Sequence, residues 1–475
     1  MGTRLTAFLC ALATTFAAAR AHASPEDIIG FGTQSPAMGG TGAAYGSGFA
    51  ATYANPAMLS LIQERRLSLG FQGAAYSLSA TGPGEPGNVS YDAAKGIVVG
   101  VALPIPFGGV LKDRIAIGLG AYTPTDIVVR GKILYPETPQ FPLFGDRTQS
   151  LAIRLGVGAD ISHGLRIGIG FAALAELVGN VVVATDSTGR VGSNVDAQLV
   201  ATYAPTFGAS YEHDLGDGLV RVGATFRGKL DARFGVSIDA TKLSTLNIPV
   251  FNIAGLAQYD PAEGVLEAAY ITKDWTLALG VTYKRWSAYP GLIEPTILCP
   301  DGGNDCGALQ PVKIDYSDTL VPRVGAERSF ELSHFAQMHL RAGYLFEPTP
   351  VPSTLPASQA WNNAQQATGY VPTRNFDASR HVFSLGAGFE LGKPIVTGGN
   401  PALGAHDPAP GVTFARHQQP ERPFTLDLYT QLHALQPRTV TVAHGPNGEG
   451  DDPGFGQAKL TGTMLVVGIV GGVSF

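Results

Sequence analysis

Side chains that alternate every second residue between large apolar and small or polar recur along this chain, and no other feature restricts its fold as strongly. Leu165, Ile167, Ile169, Phe171, Ala173, Ala175 and Leu177 form one such set, with Arg166, Gly168, Gly170, Glu176 and Asn180 on the other face. Trp275, Leu277, Leu279, Val281 and Tyr283 alternate with Thr276, Gly280, Thr282 and Lys284 in the same way, and Leu340, Ala342, Tyr344 and Phe346 with His339, Arg341 and Gly343. A period of two belongs to strands. A soluble sandwich would put its large residues on the buried face between two sheets; large apolar outward and small or polar inward is the pattern of a barrel in a bilayer. Beyond the leader no segment has the roughly 18 uninterrupted apolar residues of a membrane-crossing helix.

Such segments number about 14. They fall near 66–80, 95–104, 113–130, 148–162, 164–184, 196–213, 218–240, 262–272, 273–288, 312–333, 335–346, 380–391, 422–437 and 457–475. The connections alternate in length: 160–164, 212–218 and 272–274 are short, as periplasmic turns are, while 131–147, 241–261, 289–311 and 347–379 are long, as extracellular loops are. Residues 392–421, long and rich in Pro, Gly and His where a short turn is expected, break the rule without a physical reason. The expected fold is therefore an all-β transmembrane antiparallel barrel over 65–475. Composition agrees, because charged residues make up 15% of the chain against roughly 25% in soluble domains. A net charge of −6 with no basic run argues against a nucleic-acid partner.

Residues 1–23 read as a secretory signal: Arg4, an apolar run from Leu5 to Ala19, and Ala21-His22-Ala23 before the cut. In a chain exported to an oxidising compartment, Cys299 and Cys306 in CPDGGNDC read as a local disulfide; Asp301, Asn304 and Asp305 could alternatively offer oxygens to Ca²⁺, although the spacing is not that of an EF-hand. No metal or cofactor site is otherwise indicated. Gly82 to Gly87 matches G-x-G-x-x-G, but Pro83 and Pro86 cannot open a nucleotide-binding helix.

The stretch 31–62, FGTQSPAMGGTGAAYGSGFAATYANPAMLSLI, is small and glycine-rich, with too little apolar bulk to bury a core of its own. It is expected to order only inside something else, as a hatch (residues 24–64) filling the barrel lumen. Barrels of about 8 strands are filled by their own side chains and those of about 16 to 18 carry an open channel, so one of about 14 would leak if empty. Asn55 should bond inward-facing groups, and Pro56 should fix the turn into the first strand.

Met38-Gly39-Gly40-Thr41-Gly42 followed by Tyr53-Ala54-Asn55-Pro56-Ala57, Asp113 to Gly120, Trp286-Ser287, Leu340 to Tyr344 with Pro350-Val351-Pro352, and Asp377 to Gly388 with Arg380-His381 occur in an order that resembles the FadL family of outer-membrane transporters of long-chain fatty acids and other hydrophobic compounds. The resemblance implies a 14-stranded barrel with an N-terminal hatch, in the outer membrane of a Gram-negative bacterium. It further implies contact with membrane lipid and lipopolysaccharide and insertion by the barrel assembly machinery. The hatch motif is carried by Gly39, Gly40, Asn55, Pro56 and Ala57. The 392–421 connection and the 299–306 loop depart from the family and leave open whether the ligand is a fatty acid or an aromatic hydrocarbon.

Two further sites follow. The 241–260 loop is greasy, with Leu243, Leu246, Ile248, Val250, Phe251 and Ile253, more than a solvent-facing loop tolerates unless it binds something; with the loop near 185–195 its position resembles the family's ligand-capture groove. In the third strand, Tyr122, Pro124 and Asp126 mark an expected lateral exit, because Pro124 removes a backbone donor where a closed barrel needs one. Lys284, Glu327, His339 and Arg341 face inward as a polar lumen set. They would be catalytic in the rival reading, an outer-membrane acyl hydrolase; a non-specific porin or an adhesin-type barrel is the other alternative.

Overall fold

A computed structural model of the chain describes residues 26–82, 87–126, 137–144, 151–185, 191–242, 250–291, 293–298, 309–310, 313–362, 367–392, 423–444 and 455–475. Fourteen strands close into one antiparallel barrel. They are β1 (Arg66–Thr81), β2 (Ala94–Pro104), β3 (Ile115–Pro124), β4 (Ala152–Ser162), β5 (Leu165–Thr185), β6 (Val191–Asp214), β7 (Leu219–Arg227), β8 (Glu263–Ile271), β9 (Trp275–Lys284), β10 (Thr319–Ser333), β11 (Ala336–Glu347), β12 (Arg380–Leu391), β13 (Phe424–Leu435) and β14 (Gly456–Ser474). Each pairs with its chain neighbours, and β1 meets β14 from Arg66↔Ser474 to Thr81↔Lys459, so no edge is left unpaired. Among the described residues no helix is long and apolar enough to cross a membrane.

The alternation sorts as the chemistry requires. Leu165, Ile167, Ile169 and Phe171 on β5, Trp275, Leu277 and Leu279 on β9, and Leu465, Val467, Ile469 and Val473 on β14 all face outward. Their strand neighbours face a packed interior, where Arg154, Arg166, Arg221, Glu267 and Lys284 are buried.

Strand bounds differ from expectation where loops carry strand-like residues. Within the span 113–130 the described strand is Ile115–Pro124, and within 312–333 it is Thr319–Ser333. The expected strand at 218–240 is two. β7 ends at Arg227, and after Gly228 and Lys229 the chain leaves the barrel as Leu230–Lys242, which lies parallel to the upper part of β5. Val250–Asp260 pairs with it, and Ile293–Leu298 pairs with Val250–Asp260. The expected loop at 241–261 is thus largely the second strand of a sheet-like arm, because a run of Val, Phe and Ile meets the exposed edge of a neighbouring strand.

Residues 26–65 run inside the barrel as short helical pieces, Glu26–Ile29, Gln34–Ala37, Ala51–Ala54 and the 3₁₀ turns Gly48–Ala50 and Pro56–Leu61. Pro56 therefore opens a 3₁₀ helix rather than turning directly into β1; its fixed φ suits the first helical position, and the chain hands over to β1 only after Ile62. The leader 1–23, Cys299, Cys306, the connection from 393 to 421, and Leu243, Leu246 and Ile248 lie outside the described residues.

Candidate functional site

The N-terminal segment meets the inner wall on every side. Where its backbone presses closest, the wall has no side chain: a Cβ on Gly343 of β11 would stand 2.0 Å from the amide nitrogen of Gly39, and one on Gly168 of β5 would stand 2.3 Å from that of Ala57. Gly39 and Gly40 themselves have φ of +68° and +73°, which only glycine adopts without strain. At these wall positions glycine lets two backbones pack without a side chain between them.

Polar anchors do the rest. The Glu267 carboxylate on β8 accepts from the amides of Gly42 at 2.9 and 3.0 Å and of Ala44 at 3.0 Å. Asn55, fully buried, donates from Nδ2 to Ala43 O and to Ala209 O of β6, while its Oδ1 accepts from the Ala57 amide. Arg221 donates to Ala44 O, Thr225 to Ala54 O, Arg227 to Tyr53 O, Arg323 to Gly40 O and Gln431 to Pro36 O. A short irregular segment has few internal hydrogen bonds, so its buried carbonyls depend on these wall donors.

Above this level lies a layer of ion pairs. Lys284 Nζ, with no exposed surface, donates to both oxygens of Asp27 at 2.7 Å and to Glu347 at 2.6 Å. Glu347 also accepts from Arg380, Glu26 accepts from Arg154 at 2.7 Å, and Glu263 accepts from Arg227 at 2.7 Å. Buried charges persist only when paired in this way. Of the sequence-read polar set, Lys284 belongs to this layer, while Glu327 and Arg341 pair lower down, with Gln34 and Asp427 completing the group. His339 sits apart, its Nδ1 at 2.8 Å from Ser329 Oγ and its Nε2 at 3.5 Å from Glu390. Ser329 spends its amide on Asp274 O, so it offers no oxyanion donor beside that pair.

Beside and over the ion pairs the lumen turns apolar. Phe31 and Phe49 from the segment, edge to face at 5.2 Å, fill the room left by Gly100 and Gly120 of the wall at the level of Arg154, and they share an apolar cluster with Tyr122, Val98, Met464 and Val466. The long connections at that end of the barrel close over them with Phe141, Phe144 and Phe376, all buried. His433 of β13 stands in this layer 6.0 Å from the Phe144 ring, with both ring nitrogens lacking a hydrogen-bond partner. It borders a cavity of about 30 Å³ shared with Glu26, Asp27, Gly30, Tyr53 and Glu347. In the connections themselves, burial pushes the Tyr316 hydroxyl above its ordinary value and the Asp377 carboxyl above its own, although Thr349 donates to Asp377.

Tyr122 is buried in the lumen, its ring against Gly96 of β2, and Asp126 is exposed at the top of β3. Pro124 is the last residue of β3. The Thr125 amide donates to Lys95 O of β2, so the Pro124 nitrogen faces the β4 side, two residues beyond the last described pair, Tyr122↔Ala152. Val250, Phe251 and Ile253 lie on the outer arm. Sequence reasoning missed Glu26, Asp27, Arg154, Glu267, Phe144 and His433. The signal for those on strands was available, because Arg154 and His433 interrupt runs whose outward neighbours are Ile153 and Leu432.

A closed antiparallel barrel with its lumen filled by the N-terminal segment defines a class, the FadL-type barrel fold. Among solved structures, a Pseudomonas aeruginosa FadL homologue is similar over 94% of this chain and 98% of its own, with a TM-score of 0.55 at 14% identity. The toluene transporter TodX of P. putida is similar over 94% and 99%, with a TM-score of 0.51 at 13% identity. No protein-family model and no curated protein sequence matches the chain.

Proposed function

We propose that this chain is a plugged outer-membrane channel that takes up hydrophobic small molecules, long-chain fatty acids or aromatic hydrocarbons, across the envelope of a Gram-negative bacterium. The observation that carries the proposal is the change of lining along the lumen: aromatic and aliphatic above, ion-paired and hydrogen-bonded below. An apolar solute gains by entering the upper layer, and a polar one meets a floor whose charges are already paired. The shared fold supports the reading, since one structure of that fold is a toluene transporter.

In this reading residues 24–64 are the hatch, cut free of the 1–23 signal, and the barrel is inserted by the assembly machinery among lipid and lipopolysaccharide. Ligand is captured at the arm that carries Val250, Phe251 and Ile253 and its tip with Leu243, Leu246 and Ile248. It then passes the Phe141 and Phe144 layer and leaves sideways where the β3–β4 pairing ends, at Tyr122, Pro124 and Asp126. The test is uptake of radiolabelled oleate and of toluene by cells that lack their own hydrophobe transporter. Phe144→Glu should abolish uptake of whichever is carried while the barrel still shifts on heating in gels; full uptake by that variant would sink the reading.

A further inference from the structure

The arginines of the barrel strands point into the lumen with one exception among the described residues. Arg154, Arg221, Arg227, Arg341 and Arg380 are buried there, whereas Arg328 is exposed on the outward face of β10. Its cross-strand neighbours are outward too, Trp275 on β9 and Leu340 on β11. A charge on the lipid face is costly near mid-membrane and tolerable at the interface, where aromatic girdles sit. Arg328 lies in such a girdle. Its guanidinium stands 5.1 Å from the Trp275 ring and 4.8 Å from that of Phe330, close to the short turns at 272–274 and 334–335. Among the described residues no carboxylate pairs with it.

Beside it the outer wall is hollow. In the row above, Ala326 and Ala342 stand side by side between Leu277 and Leu385, and Ala387 continues the gap beyond Leu340. The result is an apolar groove of about 710 Å³ that begins at Trp275 and Arg328 and runs across the next three strands to Leu428. Side chains that short cannot fill the space between leucine ridges, so something from the surroundings must.

We propose that this groove binds one anionic phospholipid of the periplasmic leaflet, with its phosphate on Arg328 and an acyl chain along Ala326, Ala342 and Ala387. The proposal rests on the membrane placement above but on no part of the transport route. Charge complementarity selects the occupant: an unpaired cation at the interface end of an apolar groove matches a lipid whose headgroup is negative and whose tail is not. The rings of Trp275 and Phe330 hold the guanidinium in the headgroup plane, so little ordering is left for binding to impose.

The experiment is native mass spectrometry of the full mature chain released from nanodiscs of phosphatidylethanolamine containing a minority of phosphatidylglycerol. The wild type should retain one phosphatidylglycerol in preference to phosphatidylethanolamine, and Arg328→Gln should lower that retention about fivefold. Ala342→Trp, which fills the groove and leaves the arginine in place, should lower it as well, while Ile169→Gln on the outward face of β5, on the opposite wall of the barrel, should not. Equal retention of the two lipids by the wild type, unchanged retention in Arg328→Gln, or a second copy of the chain in place of lipid would each overturn the proposal while leaving the barrel intact. Failure of the wild type to enter nanodiscs at all would overturn the membrane placement along with it.

Discussion

Replacing Glu267 with alanine should release the N-terminal segment from the lumen without unfolding the barrel. The carboxylate is the acceptor for the buried amides of Gly42 and Ala44, and alanine leaves both without a partner. A buried donor left unsatisfied costs about 1–3 kcal/mol, so the loss is about 2–6 kcal/mol for the two. Removing a buried charge gives some of this back, which places the net effect toward the lower end of the range. At about 1.4 kcal/mol per tenfold, even about 2 kcal/mol multiplies the undocked population some 25-fold. Glu267→Gln keeps one acceptor oxygen but turns an NH₂ toward the second amide, and should fall between. The assay is chymotrypsin cleavage at Phe31, Tyr45 and Tyr53 in detergent, with the heat-induced gel shift as the control for the barrel, because the barrel ladder does not use the segment. Cleavage of Glu267→Ala no faster than wild type, with an unchanged gel shift, would refute the reasoning.

Lys284→Met takes from Asp27 its two 2.7 Å bonds, with Arg323 at 3.9 Å still facing it, and leaves Glu347 with Arg380, so docking should weaken toward the lower end of about 3–5 kcal/mol; the double variant with Asp27→Asn should recover part of that in the same cleavage assay. The Asp377 carboxyl is raised by burial in the 348–379 connection, so its protonated form favours the folded cap. That contribution is fully present below the ordinary carboxylate pKa and is lost as pH rises through the raised value, and Asp377→Asn should flatten the pH dependence of the urea midpoint followed by Trp286 fluorescence. Pro124→Val and Thr125→Trp should each slow transport while ligand binding at the outer loops is unchanged; wild-type rates in both would place the exit elsewhere.

The barrel was legible because bilayer and lumen impose opposite demands on adjacent residues, so Leu277 and Leu279 announce their face whatever they pair with. Strand ends were less legible. Alternation runs on past the barrel at Gly228, and only the break in pairing there shows that Leu230–Lys242 departs to form the arm. The lumen contacts were the least legible, since they join residues far apart in the chain: Lys284 to Asp27 across 257 positions and Glu267 to Gly42 across 225. A glycine such as Gly343 could be counted in the sequence, but the backbone it makes room for could not be named. Asn55 is the exception, because an Asn-Pro pair bears its own capping chemistry.

Solute permeation in liposomes tests the plugged, hydrophobe-selective lumen most directly. Reconstituted wild-type chain should pass no small sugars, whereas a variant lacking 31–62 should swell liposomes in sugar solutions and still run as a folded barrel. Rapid sugar permeation through the wild type would contradict the plugged lumen and make the chain a general porin.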